Sequence, residues 1–167
     1  DAIPHILDKK NVDMLTSHGV FSEAEIKSRY EITLENYCKT VIIEANTMAA
    51  MAKTQIIPAI EAYASSVAKS ALTKKELDST LACSFETGLV RKLSALTDRI
   101  DRKVRELEDV LISLHSAKDI GEESAMIRDT VLVKMSELRI PCDEAETLTA
   151  KSYWPFPTYA DLLFGVK

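Results

Sequence analysis

The chain is poor in the residues that most binding and catalytic chemistry requires. Its four glycines, Gly19, Gly88, Gly121 and Gly165, stand far apart. No GxxxxGKS/T or GxGxxG run exists to aim several backbone amides at a phosphate, which argues against nucleotide binding by this chain alone. Its three histidines, His5, His18 and His115, lack ligand spacing. A carboxylate-bridged metal pair in a helical bundle needs Glu-x-x-His, but Leu15 and Ile112 occupy the positions three before His18 and His115, and no HExxH occurs. The histidines therefore read as helix-end and boundary residues, and no metal ligand is assigned. Cys38, Cys83 and Cys142 are odd in number, with no CxxC pair, as expected for free thiols in the reducing cytoplasm. Cys38 lies beside Lys39, yet no histidine is near it in sequence and it borders an apolar stripe, so it reads as a packing residue rather than a nucleophile. No apolar run approaches the roughly 20 residues needed to cross a bilayer. The start, "DAIPHILDKK", has neither a basic leader nor a cleavage pattern nor an initiator Met, and reads as the start of a fragment or processed product. With 21 Lys plus Arg against 26 Asp plus Glu, the net charge of −5 gives no positive field for nucleic acid or an anionic membrane.

What the chain has in quantity is helical periodicity. A short helix is expected over "LDKKNVDMLTSHG", capped by Asp8 and stopped near His18 and Gly19. In "VFSEAEI", Ser22 and Glu25 have the spacing of a capping box, with Phe21 and Ile26 as its hydrophobic staple. From Ile26, apolar residues recur through Leu34, Val41, Ala45, Ala52, Ile56, Ala59, Tyr63 and Val67 in steps that keep one helical face inward. A second set, Ile32, Ile42, Ile43, Ala49, Ala50 and Ile57, predicts burial on more than one side. Pro58 predicts a kink or a break, because it lacks an amide and crowds the carbonyl of Thr54. "SALTKKELDSTLACS" reads as a weaker helix or a connection, with Ser84 as a cap for the next helix. That helix carries a seam for antiparallel packing from Leu89 through Leu93, Leu96, Ile100, Val104, Leu107 and Leu111 to Leu114. On its outer faces Asp98–Arg102, Asp101–Arg105, Arg102–Glu106 and Arg105–Asp109 are spaced as i, i+4 ion pairs. After "DIGEES" a last helix turns Ile127, Val131, Met135, Leu138, Cys142, Ala145 and Leu148 inward, with Pro141 as a kink. No strand-like alternation of useful length appears. The predicted fold is all-α: an antiparallel bundle of three to four long, kinked helices over residues 1–152, followed by an extended tail over 153–167.

That tail, "YWPFPTYADLLF", breaks the pattern. Pro155 and Pro157 fix their own φ and push Trp154 and Phe156 out of the helical region, so the segment must run extended. An extended strip of large rings cannot bury itself and has to lie on another surface. Tyr153, Trp154, Pro155, Phe156, Pro157 and Tyr159 are therefore the candidate docking residues. They form either a strap across this same bundle, against Ile3, Ile6 and Leu7, or a latch onto a neighbouring surface.

"YWPFPTY" at one end, with "SRYEI", "ENYCKT", "IEA" and "MAK" towards the other, closely resembles the C-terminal extension of type III glutamine synthetases, a large bacterial form of that enzyme. The resemblance covers essentially the whole chain. It implies a parent that joins ammonia to glutamate through γ-glutamyl phosphate, using ATP and Mg2+ or Mn2+ held by a catalytic α/β region upstream. It therefore assigns no catalytic, cofactor-binding or metal-binding residue to this chain. The implied partners are the parent's own catalytic region and neighbouring subunits of a ring-shaped homo-oligomer, with a role in assembly or in access to the site. The chain departs from the family pattern at Ala160, where glycine is expected, and at Gly88 and Pro141, which weaken their helices. The alternative reading is a free-standing helical sensor or adaptor that binds a small ligand or a partner helix, motivated by the long amphipathic helices and five methionines.

Overall fold

A computed structural model describes residues 2–157 and 159–165, with the backbone alone at Tyr159, Ala160 and Phe164. Among the described residues all regular structure is helical. A 3-10 turn over Ile3–Leu7 leads into α1, Lys9–Ser17. Asp8 occupies the N-cap position of α1 but caps nothing: its carboxylate instead lies 3.1 Å from Nδ1 of His5. The stop signal is realised fully. Gly19 adopts φ +64°, the Val20 amide donates to the Leu15 carbonyl at 3.0 Å, and the Gly19 amide donates to Thr16 at 3.0 Å. This is a Schellman closure, which needs a residue without a side chain at the left-handed position.

The capping box forms as its spacing predicts. The Glu25 amide donates to Ser22 Oγ at 3.3 Å, and the Ser22 amide donates to the Glu25 carboxylate at 2.8 Å. From there α2, Glu23–Met51, passes through a π-turn, Ala52–Ile56, into α3, Ile57–Leu77. The three pieces have 29, 5 and 21 residues, a rod of roughly 80 Å at 1.5 Å per residue. The helix therefore neither ends at Pro58 nor stops before "SALTKKEL". Instead the Ile57 amide reaches back five residues to the Ala52 carbonyl, which inserts one extra residue into the turn just before the proline. That insertion also rotates the inward face. Beyond it Ile60 and Ala64 join the expected Ala59 as buried residues, while the expected Tyr63 and Val67 are only partly covered. The second apolar set widens the stripe only in part: Ala49 is buried and Ile42 and Ile57 pack partly buried against the core, whereas Ile32 and Ile43 are 54% and 66% exposed.

After a turn in which the Asp78 carboxylate accepts from the amide and hydroxyl of Thr80, α4 runs over Ser84–Ser113. Its N-cap is Cys83 rather than Ser84. The cap carries no side-chain bond, because the Cys83 thiol turns to the Ala71 carbonyl at 3.6 Å. A 3-10 turn, Leu114–Ser116, is followed by α5, Ile120–Met126, a second π-turn, Ile127–Val131, and α6, Leu132–Leu148. Asp119 caps α5 by accepting from the Glu122 amide at 2.9 Å. α6 continues through Pro141, which is buried. Last comes α7, Tyr159–Phe164, so the tail expected to run extended over 153–167 is non-helical over 154–157 and then turns helical.

α4 is the centre of the bundle. Every position of its predicted seam is buried or partly buried, with Leu93, Ile100 and Leu107 at 0% exposure. It packs antiparallel to the rod, with Lys74 on Glu86 and Lys53 Nζ 2.7 Å from Glu108, and antiparallel to α6 on its other side. The α4–α6 seam is closed by a ring of four charges. Lys103 lies 2.7 Å from Glu106 and 2.9 Å from Glu137, and Lys134 lies 2.9 Å from Glu106 and 3.0 Å from Glu137. Each carboxylate thus faces two ammonium groups, and hydrogen bonds from Lys103 and Lys134 pull Glu106 down to about 2. Of the four ion pairs expected along α4 itself, Asp101–Arg105 forms at 2.7 Å, whereas Glu106 is taken up by the ring. Among the described residues no helix is long and apolar enough to cross a membrane.

Two glycines and one carboxylate give direct tests of this architecture. Gly19→Ala should lower unfolding stability by about 1 kcal/mol, because it forces a Cβ into the left-handed region. Gly88→Ala should instead raise stability by roughly 0.5–1 kcal/mol, since Gly88 lies inside α4 with nothing within 4 Å of an added Cβ. Chemical denaturation should return opposite signs for the two. The charge ring sets the pH response. The depressed folded value of Glu106 adds stability that is complete above its unfolded value of 4.5 and is lost as pH falls towards about 2. Thermal unfolding across that window should steepen with acid in the native chain and flatten in Glu106→Gln.

Candidate functional site

The end of α6 delivers the aromatic segment to the face of the bundle. The Thr149 amide still bonds to the Ala145 carbonyl, and then the amides of Tyr153 and Trp154 both return to the Ala150 carbonyl, at 2.8 and 3.2 Å. This tight turn reverses the chain. Residues 155–157 have no helical bonding, and from Trp154 onward exposure alternates: Trp154 and Phe156 are partly buried, while Pro155 and Pro157 are exposed. The period of two is what an extended backbone imposes. It sends both large rings inward and leaves the prolines, which cannot donate, facing solvent.

The inward rings find partners on three elements. Trp154 and Phe156 pack against the main core and meet each other edge to face, with centroids 6.2 Å apart and planes at 75°. The Tyr153 ring lies 5.3 Å from that of Tyr63 on α3, tilted by 48°. Lys151 forms an ion pair with Asp161, tying the turn to α7. Tyr153, Trp154 and Phe156 thus come together as a strap over the rod and α6, with Pro155 and Pro157 on its outer side. The side chain of Tyr159 lies outside the described residues. The strap rests on Tyr63 and beside the π-turn, whereas the Ile3–Leu7 turn packs on α2. The sequence supplied the strap but not its seat, since nothing local links Tyr63 to Tyr153.

Beneath the strap is a groove of about 480 Å³. Met48, Met51, Ile56 and Cys142 contribute its apolar lining, Trp154 and Phe156 one wall, and Glu44, Arg139, Asp143 and Glu146 its charges. A larger concavity of about 1060 Å³ lies between α2 and the end of α4, bordered by Asn46, Glu108, Asp109 and His115. Burial pushes the Cys142 thiol up to about 11 and raises that of Cys38, so neither is a thiolate near neutral pH. His5 and His115 each donate a ring N–H locally, to the Asp8 carboxylate and to the Ile112 carbonyl, and His18 is the C-cap of α1. Among the described residues no three His, Cys, Asp or Glu side chains gather as a metal would require.

Residues 1–75 match a family model described as the glutamine synthetase C-terminal domain. The chain is 32% identical over 167 residues to a glutamine synthetase of Butyrivibrio fibrisolvens, a match covering 100% of this chain and 24% of that protein. It is 26% identical to a type-3 glutamine synthetase of Dictyostelium discoideum, over 98% of this chain and 23% of that protein. A glutamine synthetase of Bacteroides fragilis (strain YCH46) is 24% identical over the same share of this chain. The chain spans about a quarter of the length of the curated relatives it matches.

Trp154→Ala tests the seat of the strap. The substitution removes a partly buried ring and its edge-to-face partner, and should cost the 167-residue chain about 1–3 kcal/mol in urea unfolding followed by circular dichroism. A loss within error of zero would mean that the ring contributes nothing to the bundle.

Proposed function

We propose that this chain, which belongs to the glutamine synthetase C-terminal domain family, is the non-catalytic helical domain of a parent that ligates ammonia to glutamate at the expense of ATP. The single observation that carries the reading is the alignment of the entire chain with one quarter of a glutamine synthetase. In this reading the parent activates glutamate as γ-glutamyl phosphate, with ATP and Mg2+ or Mn2+ bound in a catalytic region outside this chain. No step of that reaction is, in this reading, assigned to a residue of this chain. The domain's work is mechanical: it docks on the catalytic region or on neighbouring subunits of a homo-oligomeric ring, and sets assembly or access to the site. The strap and the exposed apolar residues Ile43 and Ile140 beside α2 and α6 are the surfaces best suited to that contact. Three buried free thiols suit a reducing cytoplasm.

The test uses the full-length parent. Deleting residues 1–167 of this chain should shift its oligomer size distribution or lower its turnover with ATP, glutamate and ammonia. An unchanged assembly with unchanged kinetics would overturn the proposal. The 167-residue chain by itself should form no glutamine, and measurable turnover would equally contradict it.

A further inference from the structure

Going beyond any role in the parent, we infer that the groove under the aromatic strap binds a small organic cation with an apolar body. Its volume of about 480 Å³ falls within the range of small-molecule sites, roughly 300–1,000 Å³. The lining is chiefly apolar, which suits a hydrocarbon or aromatic body, and two thioethers, Met48 and Met51, adapt to its shape. One wall is aromatic. Because Trp154 and Phe156 meet edge to face, at least one ring keeps its electron-rich face free of the other, the arrangement that attracts an ammonium group.

The charges decide the sign of the ligand. Three carboxylates border the groove, Glu44 from α2 and Asp143 and Glu146 from α6, against one guanidinium, Arg139. Arg139 is engaged by Asp143 at 3.2 Å. That leaves Glu44 and Glu146, which among the described residues pair with no cation. They line the groove from two different elements, so an ammonium group bound in it is attracted by both, while a carboxylate ligand is repelled. An anion is therefore the wrong occupant, and a neutral molecule gains only the apolar part. Specificity rests on charge, affinity on the rings and the thioethers.

Trp154 is the chain's single tryptophan, so its emission reports on this groove directly. Benzyltrimethylammonium should change Trp154 fluorescence saturably and shift the methyl resonances of Met48 and Met51. Benzoate and benzyl alcohol, similar in size, should bind about tenfold more weakly or not at all. The paired substitution Glu44→Gln with Glu146→Gln leaves shape and strap in place, and should weaken the cation about tenfold while leaving benzyl alcohol unaffected. Phe156→Leu should weaken the cation while circular dichroism shows the bundle intact. The proposal is overturned if the cation produces no saturable change, if benzoate and benzyl alcohol match it, or if the Gln pair binds it as the native chain does. None of these outcomes depends on the parent's assembly or turnover, so failure here and failure of the ligase-domain reading are separable.

Discussion

A proline in the middle of a helix must be accommodated somewhere, and the way Pro58 is accommodated shapes the rest of this molecule. Its ring excludes the usual bond to the carbonyl four residues back. The chain responds by letting Ile57 bond to Ala52 across five residues, so that the helix widens for one turn and resumes. Two consequences result. The rod stays continuous from Glu23 to Leu77 and pairs with α4 chiefly through α3 and the π-turn, and beyond that turn its inward face takes in Ile60 and Ala64 beside Ala59. The widened turn also places Ala52 and Ile56 at the edge of the groove on which the strap lies. Backbone accommodation of a single residue thus helps to shape the groove under the strap.

The second organising element is α4, which has to satisfy neighbours on two sides. Its apolar seam secures the rod and α6 through non-directional burial, and burial alone permits sliding. Charge fixes the register: Lys53 and Lys74 pair along the rod, and Glu106 with Lys103 pair with their counterparts on α6. A closed ring of alternating charges differs from isolated surface pairs in that each side chain is held by two others, which reduces the entropy cost of each added contact. Such a network contributes more to the alignment of the two helices than to net stability.

What could be read from the sequence was whatever is decided within one or two turns. The Ser22 capping box, the Gly19 stop, the α4 seam and the non-helical strap are all local, and the structure realises them. The cap by Asp119 on α5 is equally local, since Asp119 and Glu122 have the capping-box spacing and Glu122 does return to the amide of Lys118 at 2.8 Å. Its signal is masked by Gly121, which gives the "DIGEES" stretch the composition of a loop. Other features were illegible because they depend on register between distant elements. The Lys103–Glu106–Lys134–Glu137 ring, the meeting of Tyr63 with Tyr153, and the groove between α2 and α6 belong to this class. Asp8 and Ser84 show a third kind of difference: Asp8 holds the N-cap position but turns its carboxylate to His5, and α4 starts one residue earlier than expected, so that Ser84 lies inside the helix and Cys83 holds the cap.

The rod is much longer than its partner, with α4's 30 residues reaching roughly 45 Å against its own 80 Å. Past the end of α4, α2 is supported by shorter pieces: the Ile3–Leu7 turn, α1 and α5. Contact density therefore falls towards the start of α2, and with it the free energy needed to open the backbone locally. The molecule is graded along its axis, with amides near Ile60 and Ile100 opening only with the whole bundle, and those near the Ser22 cap exchanging with solvent through smaller, independent excursions.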